Sequence, residues 1–323
     1  MVTDTGGIDD RSFNQLAWAG MRAAAKGRRN VNIRYLQSTT VADYLPNIDS
    51  FISSKCRIIV TIGSSMAIAT EDAAKADPKQ KFAIVDCAYA DHCLTGKKLK
   101  NIRQIAFNTV QDGFLGGYLA AGMSKTHTVA TFGGQRIDPV TIYMDGFWDG
   151  VHYYNSQHHT SITVLGWNER TQKGRFIGNF TSPAAGQTLT ASLVHDGADV
   201  IFPVAGGANL GAAQAVQAAD GSGKSAAIEW PDTDGCFSVA TYCKYSLTSV
   251  TKGITSAVKA VALAAIRGKF AQTYIGTLAS GGVALAPYHD FAKKVPASLQ
   301  AEINKVKSEI ETGKITPATK SPV

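Results

Sequence analysis

Apolar positions along this chain recur with two alternating periods. Phe13, Leu16, Ala17 and Ala24 fall on or near one face, which predicts a helix over residues 12–26. Residues 32–37 read as a strand and 40–53 as a helix. The run Cys56-Arg-Ile-Ile-Val-Thr-Ile-Gly63 reads as a strand entering a glycine turn, with a helix over 64–74 behind it. Lys81-Phe-Ala-Ile-Val-Asp86 is another strand, ending on a carboxylate. Such β-α repeats predict a parallel sheet covered on both faces.

A second series of similar size follows. Helices over 112–124, 141–155, 183–196 and 209–219 alternate with strands at 128–132, 161–165, 200–205 and 226–230. Three of these strands end at Gly133-Gly134, Gly206-Gly207 and Pro231-Asp232. Beyond them we expect a helix over 249–266, short strands at 274–278 and 283–285, and a polar amphipathic helix over 297–312. One long helix and two short strands are too little for a third domain. The tail is therefore expected to return to the first α/β unit and cross back to the second.

At 323 residues the chain suits two ordinary α/β domains or one large one. With 45% hydrophobic and 18% charged residues it is not disordered. The net charge of +7 is spread thinly. Its densest spots, residues 26–29 and 97–100, lack interleaved aromatics and read as solvated faces, so no nucleic-acid partner is expected. No run of about 18 apolar residues offers a membrane span. The first residues show neither a basic n-region nor an apolar h-region. Two expectations stand: a cytosolic protein, or the mature portion of an exported one.

Cysteine spacing bears on that choice. Cys87 and Cys93 flank one short loop, and Cys236 and Cys243 another, so two local disulfides and an oxidising compartment are expected. Cys56 reads as a single buried thiol. Metal binding is disfavoured because neither pair has C-x-x-C spacing and no histidine cluster accompanies them. His158-His159 reads as a solvated loop pair.

In open parallel sheets, ligands sit beyond the carboxyl ends of the strands. Here those ends are residues 4–7, 63–65, Asp86, 133–134, 206–207 and Asp232, a set rich in carboxylates and glycines. No G-x-S-x-G elbow, P-loop or H-E-x-x-H motif is present, and Gly206–Gly211 matches a dinucleotide fingerprint only loosely. The carboxylates admit three readings: helix caps, acid/base pairs, or acceptors for sugar hydroxyls. On the residues alone, capping and ligand binding stand level.

The segment Val2-Thr-Asp-Thr-Gly-Gly-Ile-Asp-Asp-Arg-Ser-Phe-Asn-Gln15 resembles the opening of the basic membrane protein family. These are substrate-binding lipoproteins of ABC importers that include the purine nucleoside receptors. Further resemblances follow in order at residues 82–86, 113–121, 145–150, 178–180, 199–207, 232–234, 248–253 and 281–287. The resemblance implies an α/β, type I periplasmic-binding-protein fold, two doubly wound parallel-sheet lobes joined by a three-crossover hinge. Its lobes would be residues 1–108 plus 249–277, and 109–248 plus 278–323, with the ligand cleft between them. The crossovers would lie near 107–109, 247–249 and 276–279.

Carried over residue by residue, Phe13 and Phe180 would stack on a base, and Asn14 and Asp86 would bond its edge. Asp4 and Asp232 would take ribose hydroxyls, Gly206 would offer backbone groups, and Lys252, opening the helix after the second crossover, would reach the sugar. An ionised Asp86 can only accept hydrogen bonds, so guanosine or inosine is expected to bind better than adenosine, with Asn14 turning its amide to suit either. Gly235-Cys236 after Asp234, Trp230-Pro231 before Asp232, and Trp148 depart from the family pattern at the cleft rim.

The resemblance thus implies an exported, lipid-anchored and monomeric solute-binding protein, its anchor in a segment outside this sequence. It would deliver a purine nucleoside to ABC permease subunits, with no enzyme activity, metal or cofactor. The rivals are a nucleoside-processing α/β enzyme, and the same fold binding a flavin or a sugar.

Overall fold

The computed structural model describes residues 1–89, 93–270 and 273–321. The chain forms two compact units, Met1–Phe107 with Gly253–Gly276, and Asn108–Lys252 with Thr277–Ser321. In chain order the first unit holds α1 (Phe13–Ala25), α2 (Tyr44–Ser53), β1 (Ile59–Ile62), α3 (Ala67–Ala76), β2 (Phe82–Val85) and β3 (Ile102–Phe107). The second unit then runs through α4 (Thr109–Met123), β4 (Thr128–Gly133), α5 (Asp138–His158), β5 (Thr163–Leu165), β6 (Trp167–Asn168) and β7 (Lys173–Gly174). It continues through α6 (Pro183–His195), β8 (Val200–Val204), α7 (Asn209–Gly221), β9 (Ala227–Asp232), the single turn α8 (Gly235–Ser238) and β10 (Ser246–Lys252). The chain re-enters the first unit for α9 (Ile254–Ile266) and β11 (Tyr274–Gly276). It ends in the second with β12 (Val283–Leu285) and α10 (Ala297–Glu311).

The first unit's sheet has the order β1-β2-β3-β11, parallel throughout. Val2 bridges Thr61 and Leu36 in parallel fashion and extends the sheet beyond β1. Every residue of β1 and β2 is buried, as strands covered on both faces require. One face packs on Tyr44, Ile48 and Phe51 of α2 and Met66, Ala67 and Ala73 near α3. Elsewhere in the unit, α1 meets α9 closely at Gly20, where a Cβ would lie 2.7 Å from the Thr255 carbonyl oxygen.

The second unit's main sheet has the order β12-β10-β9-β8-β4-β5, parallel except for antiparallel β12. Its small-residue helix α4 is buried along most of its length. A Cβ at Gly117 would lie 2.0 Å from the Phe147 carbonyl oxygen, and one at Gly150 2.0 Å from that of Phe114. Only glycine at these positions lets α4 and α5 approach backbone to backbone.

Three expectations need correction. Residues 249–252 are strand, not helix: they complete β10, pinned between β9 and β12, and α9 starts at Ile254. The second boundary between units accordingly falls at Lys252–Gly253 rather than at 248–249. Over 32–37 only Leu36 pairs, through its bridge to Val2. His158 is not a solvated loop residue but ends α5, stacked on Tyr154 at 4.2 Å between ring centroids and 2.9 Å from Glu302 Oε2. The expected lobe segments also include residues 90–92, 271–272 and 322–323, which lie outside the described ones. Disulfides join Cys87 to Cys93 and Cys236 to Cys243, and Cys56 is a free thiol.

Candidate ligand-binding site

In the first unit the carboxyl edge of the sheet gathers the Val2 segment, β1 and β2 side by side. Asp4, Gly63 and Asp86 therefore follow neighbouring parallel strands. Asp4 Oδ1 accepts from Gly6 N at 2.9 Å and from Asn14 Nδ2 at 2.8 Å. A Cβ at Gly63, whose φ is +101°, would come within 2.8 Å of Asp4 Oδ2, so a side chain there would crowd the carboxylate.

Asp10 caps α1. Its Oδ1 accepts from Ser12 N at 3.0 Å and Gln15 N at 3.1 Å, and its Oδ2 from Asn14 N at 2.7 Å and Asn14 Nδ2 at 3.0 Å. Burial pushes the Asp10 carboxyl up to about 6, against the pull of these donors. Burial raises Asp4 as well, opposed by the bonds from Asn14 and Gly6.

Asn14 is the junction of this network. It is buried, and its amide nitrogen is spent on the two carboxylates. That overturns the expectation that Asn14 turns freely. Its orientation is set, Oδ1 faces away as an acceptor, and this buried oxygen has no hydrogen-bond partner among the described residues. Phe13 opens α1 beside it, half-buried. Asp86 is buried with φ +56°, and its N–H donates to Ile105 O at 2.7 Å. The next residue, Cys87, is buried and tied to Cys93.

In the second unit the corresponding edge carries Gly134 after β4, Gly206 after β8, and Asp232 and Lys252 as the last residues of β9 and β10. The Phe180 ring lies over Gly134, where a Cβ would meet it at 2.4 Å. A Cβ at Gly206, whose φ is +55°, would lie 3.2 Å from the Phe180 Cβ. Asp232, like Asp86, takes the left-handed conformation, at φ +66°. For a non-glycine residue this is sparsely populated and worth a functional hypothesis.

Lys252 ends a strand and is buried, so neither the expected position at the start of a helix nor an exposed lysine describes it. Its Nζ lies 3.4 Å from Asp232 Oδ1 and 4.9 Å from the centroid of the Tyr143 ring. Asp112 on α4 was missed. It is fully buried, and its carboxyl oxygens have no hydrogen-bond partner among the described residues. Burial holds it well above the usual carboxylate range, with the Lys252 charge pulling the other way. A carboxylate inside the otherwise small and apolar run Asp-Gly-Phe-Leu-Gly-Gly was the available signal.

The structure thus brings Asp4, Phe13 and Asn14 to one loop and helix start, with Asp86 on the same sheet edge. It brings Phe180 to Gly206, and Asp232 to Lys252, on the edge of the other unit's sheet.

The model of the family described as ABC transporter substrate-binding protein PnrA-like (Bmp) matches residues 1–323. The chain is 29% identical over 334 residues to the ABC transporter nucleoside-binding protein BmpA of Lactococcus lactis subsp. cremoris, covering 99% of this chain and 88% of that one. It is 33% identical over 215 residues to the CD4+ T-cell-stimulating antigen of Listeria monocytogenes, across 65% of this chain and 55% of that protein. Among solved structures, an ABC transporter solute-binding protein from Aeropyrum pernix K1 superposes with a TM-score of 0.85 at 22% identity, covering 98% of this chain and 91% of that one. That likeness shows the fold, which is of the periplasmic-binding-protein type.

Proposed function

The chain belongs to the PnrA-like (Bmp) family of ABC transporter substrate-binding proteins, and on that premise we propose that the solute it binds is a purine nucleoside. The family binds and hands over a solute rather than transforming it, and membership implies ABC permease partners.

The observation that carries the reading is the fixed acceptor at Asn14. A buried acceptor without a partner costs roughly 1–3 kcal/mol, which a ligand N–H or O–H recovers. The first unit adds the carboxylates of Asp4 and Asp86 and the aromatic face of Phe13, and the edge of the second unit's sheet carries Asp232, the aromatic face of Phe180 and one cation, Lys252. A nucleoside matches this inventory: a flat base to stack, N–H donors on its edge, and vicinal hydroxyls. A free sugar has less use for Asp86. The name of the Lactococcus relative points the same way.

In this reading Phe13 and Phe180 stack on the base and Asp86 accepts from its N1–H. Asn14 Oδ1 takes a ligand donor, so O6 of an oxo-purine does not face it. Asp4 and Asp232 hold the ribose hydroxyls, Lys252 reaches the sugar, and Gly206 offers backbone groups. We place the protein outside the cytoplasm, lipid-anchored and monomeric. The two disulfides support an oxidising compartment, and relatives include a lipoprotein of Pyrococcus furiosus. No helix among the described residues is long and apolar enough to cross a membrane.

The test is native mass spectrometry of the purified protein, followed by calorimetric titration with guanosine, inosine and adenosine at neutral and mildly acidic pH. Guanosine or inosine should bind more tightly than adenosine by about 1–3 kcal/mol. Adenosine matching guanosine at both pH values removes Asp86 from the base edge. No binding of any nucleoside overturns the reading.

A further inference from the structure

The loop after β9 brings Asp234 and Cys236, two residues apart, to His289, more than fifty residues further along the chain. Asp234 caps the turn α8, its Oδ1 accepting from Cys236 N at 3.0 Å. Its Oδ2 lies 2.8 Å from His289 Nε2, a partner 55 residues further along the chain. One carboxylate oxygen of Asp234, Cys236 Sγ and a His289 ring nitrogen all lie within 4.8 Å of one another. The side chains of His289 and Asp234 are 24% and 18% exposed, so ions from solvent can reach them. His289 is held at φ +44°, and the ring of the exposed Phe237 packs edge-on against it at 5.5 Å.

Thiolate, imidazole and carboxylate together form a donor set for a borderline-soft divalent ion of the zinc class. Ligand bonds of about 2.0–2.3 Å put tetrahedral ligand atoms roughly 3.3–3.8 Å apart. No pair of these atoms is more than about an ångström too far apart, and the 2.8 Å contact between His289 and Asp234 opens slightly to admit the ion. What blocks the site is the Cys236–Cys243 bond, because a disulfide sulfur carries no thiolate charge.

We propose that opening the Cys236–Cys243 disulfide converts this loop into a zinc-class metal site with Asp234, Cys236 and His289 as its protein ligands and water in the fourth position. A dithiol reductant supplies two electrons and two protons. Its own disulfide forms as Cys236 and Cys243 become thiols. The metal then takes Cys236 as thiolate, releasing that proton to solvent. His289 binds through the Nε2 lone pair with its proton on Nδ1, and Asp234 exchanges its histidine contact for the metal. The site is thereby closed in an oxidising compartment and open in a reducing one. Neither Asp234 nor His289 belongs to the proposed nucleoside set, so the two readings stand or fall separately.

The experiment uses Cys243→Ala, which leaves Cys236 as a thiol without any reductant. Zn2+ is titrated by calorimetry, and Co2+ is added as a spectroscopic probe. Cys243→Ala should take one Zn2+ per chain at least ~100-fold more tightly than the oxidised wild type, and give a sulfur-to-cobalt charge-transfer band. Adding His289→Ala or Asp234→Ala should weaken Zn2+ at least ~10-fold. Zn2+ binding no tighter than in the wild type, binding indifferent to both second substitutions, or a cobalt complex without the thiolate band overturns the proposal. If Cys243→Ala does not fold, wild type and His289→Ala are compared after reduction by a phosphine. Cys56, Cys87 and Cys93 are common to both, so only the difference reports on this site, and equal affinities overturn the proposal.

Discussion

Asn14→Asp exchanges one amide nitrogen for oxygen and leaves the shape of the side chain unchanged. The nitrogen it removes donates to Asp4 Oδ1 at 2.8 Å and Asp10 Oδ2 at 3.0 Å. Three carboxylates would then meet at hydrogen-bond distance with no proton among them. Two unit charges 3 Å apart repel by roughly 5 kcal/mol at an effective dielectric of about 20, so one group takes up a proton instead. Asp10 is the cheapest acceptor because burial has already pushed it up to about 6. At about pH 7.5, protonating it costs roughly 2 kcal/mol, at about 1.36 kcal/mol per pH unit. The proton restores one of the two lost bonds. The other, a bond to a charged group, is worth about 1.5–3 kcal/mol. The expected loss of stability is therefore about 3.5–5 kcal/mol near pH 7.5.

The pH dependence follows in sign. A carboxyl whose folded-state value lies above its unfolded one makes the folded state bind the proton first, so lowering pH through about 6 stabilises the fold. In Asn14→Asp the folded state holds that proton more tightly still. The gap to the wild type should shrink to about 1.5–3 kcal/mol near pH 5, where the proton is bound in both proteins. Urea unfolding followed by tryptophan fluorescence at the two pH values measures this. Unchanged midpoints near pH 7.5, or a gap that widens on acidification, would refute the placement of the Asn14 amide between the two carboxylates.

Phe13→Ala should weaken nucleoside binding about 10- to 100-fold, the ~1–3 kcal/mol of one stacking face, and calorimetry showing no change removes Phe13 from the site. A 2′-deoxynucleoside should bind more weakly than its ribo counterpart by about 1–3 kcal/mol, and equal affinities would argue that neither Asp4 nor Asp232 holds a hydroxyl. Lys252→Met should lower unfolding stability, because it removes the buried cation 3.4 Å from the Asp232 carboxylate. Denaturation midpoints within error of the wild type would return Lys252 to the status of a surface lysine.

The legible parts of this fold were those where one periodicity acted alone. β1 and β2 are buried on both faces, and their short β-branched and aromatic runs, Ile-Val-Thr-Ile and Phe-Ala-Ile-Val, end at Gly63 and Asp86, residues of the kind that bound strands. β10 failed because Ser-Leu-Thr-Ser-Val-Thr-Lys mixes polar and apolar residues and abuts the small-residue helix α9. Ser246, Thr248 and Ser249 are buried all the same, Ser249 Oγ accepting from Gly235 N at 2.9 Å and Thr248 Oγ1 donating to Ala286 O at 2.8 Å. Residues just beyond the ends of neighbouring strands meet those hydroxyls, and a local pattern cannot show neighbours. The local pattern marks no strand at β3 for a like reason: Arg103 and Gln104 interrupt its apolar run, yet Gln104 is buried and accepts from Tyr89 N at 2.9 Å.

The same limit explains the candidate site. Capping and ligand binding stood level for the N-terminal carboxylates because both place Asp in a Gly-rich turn. Geometry separates them by what each oxygen is used for. Asp10 spends both oxygens on four donors from residues 12–15, which is capping carried to completion. Asp4 receives its two bonds on Oδ1 alone, while Gly63 leaves room at Oδ2. Asn14 links the two, turning the capping carboxylate into a clamp that aims the asparagine's own acceptor away from the protein's donors. The helix cap and the binding group are thus parts of one network. A change to Asp10, which need touch no ligand, should therefore act on affinity through the orientation of Asn14.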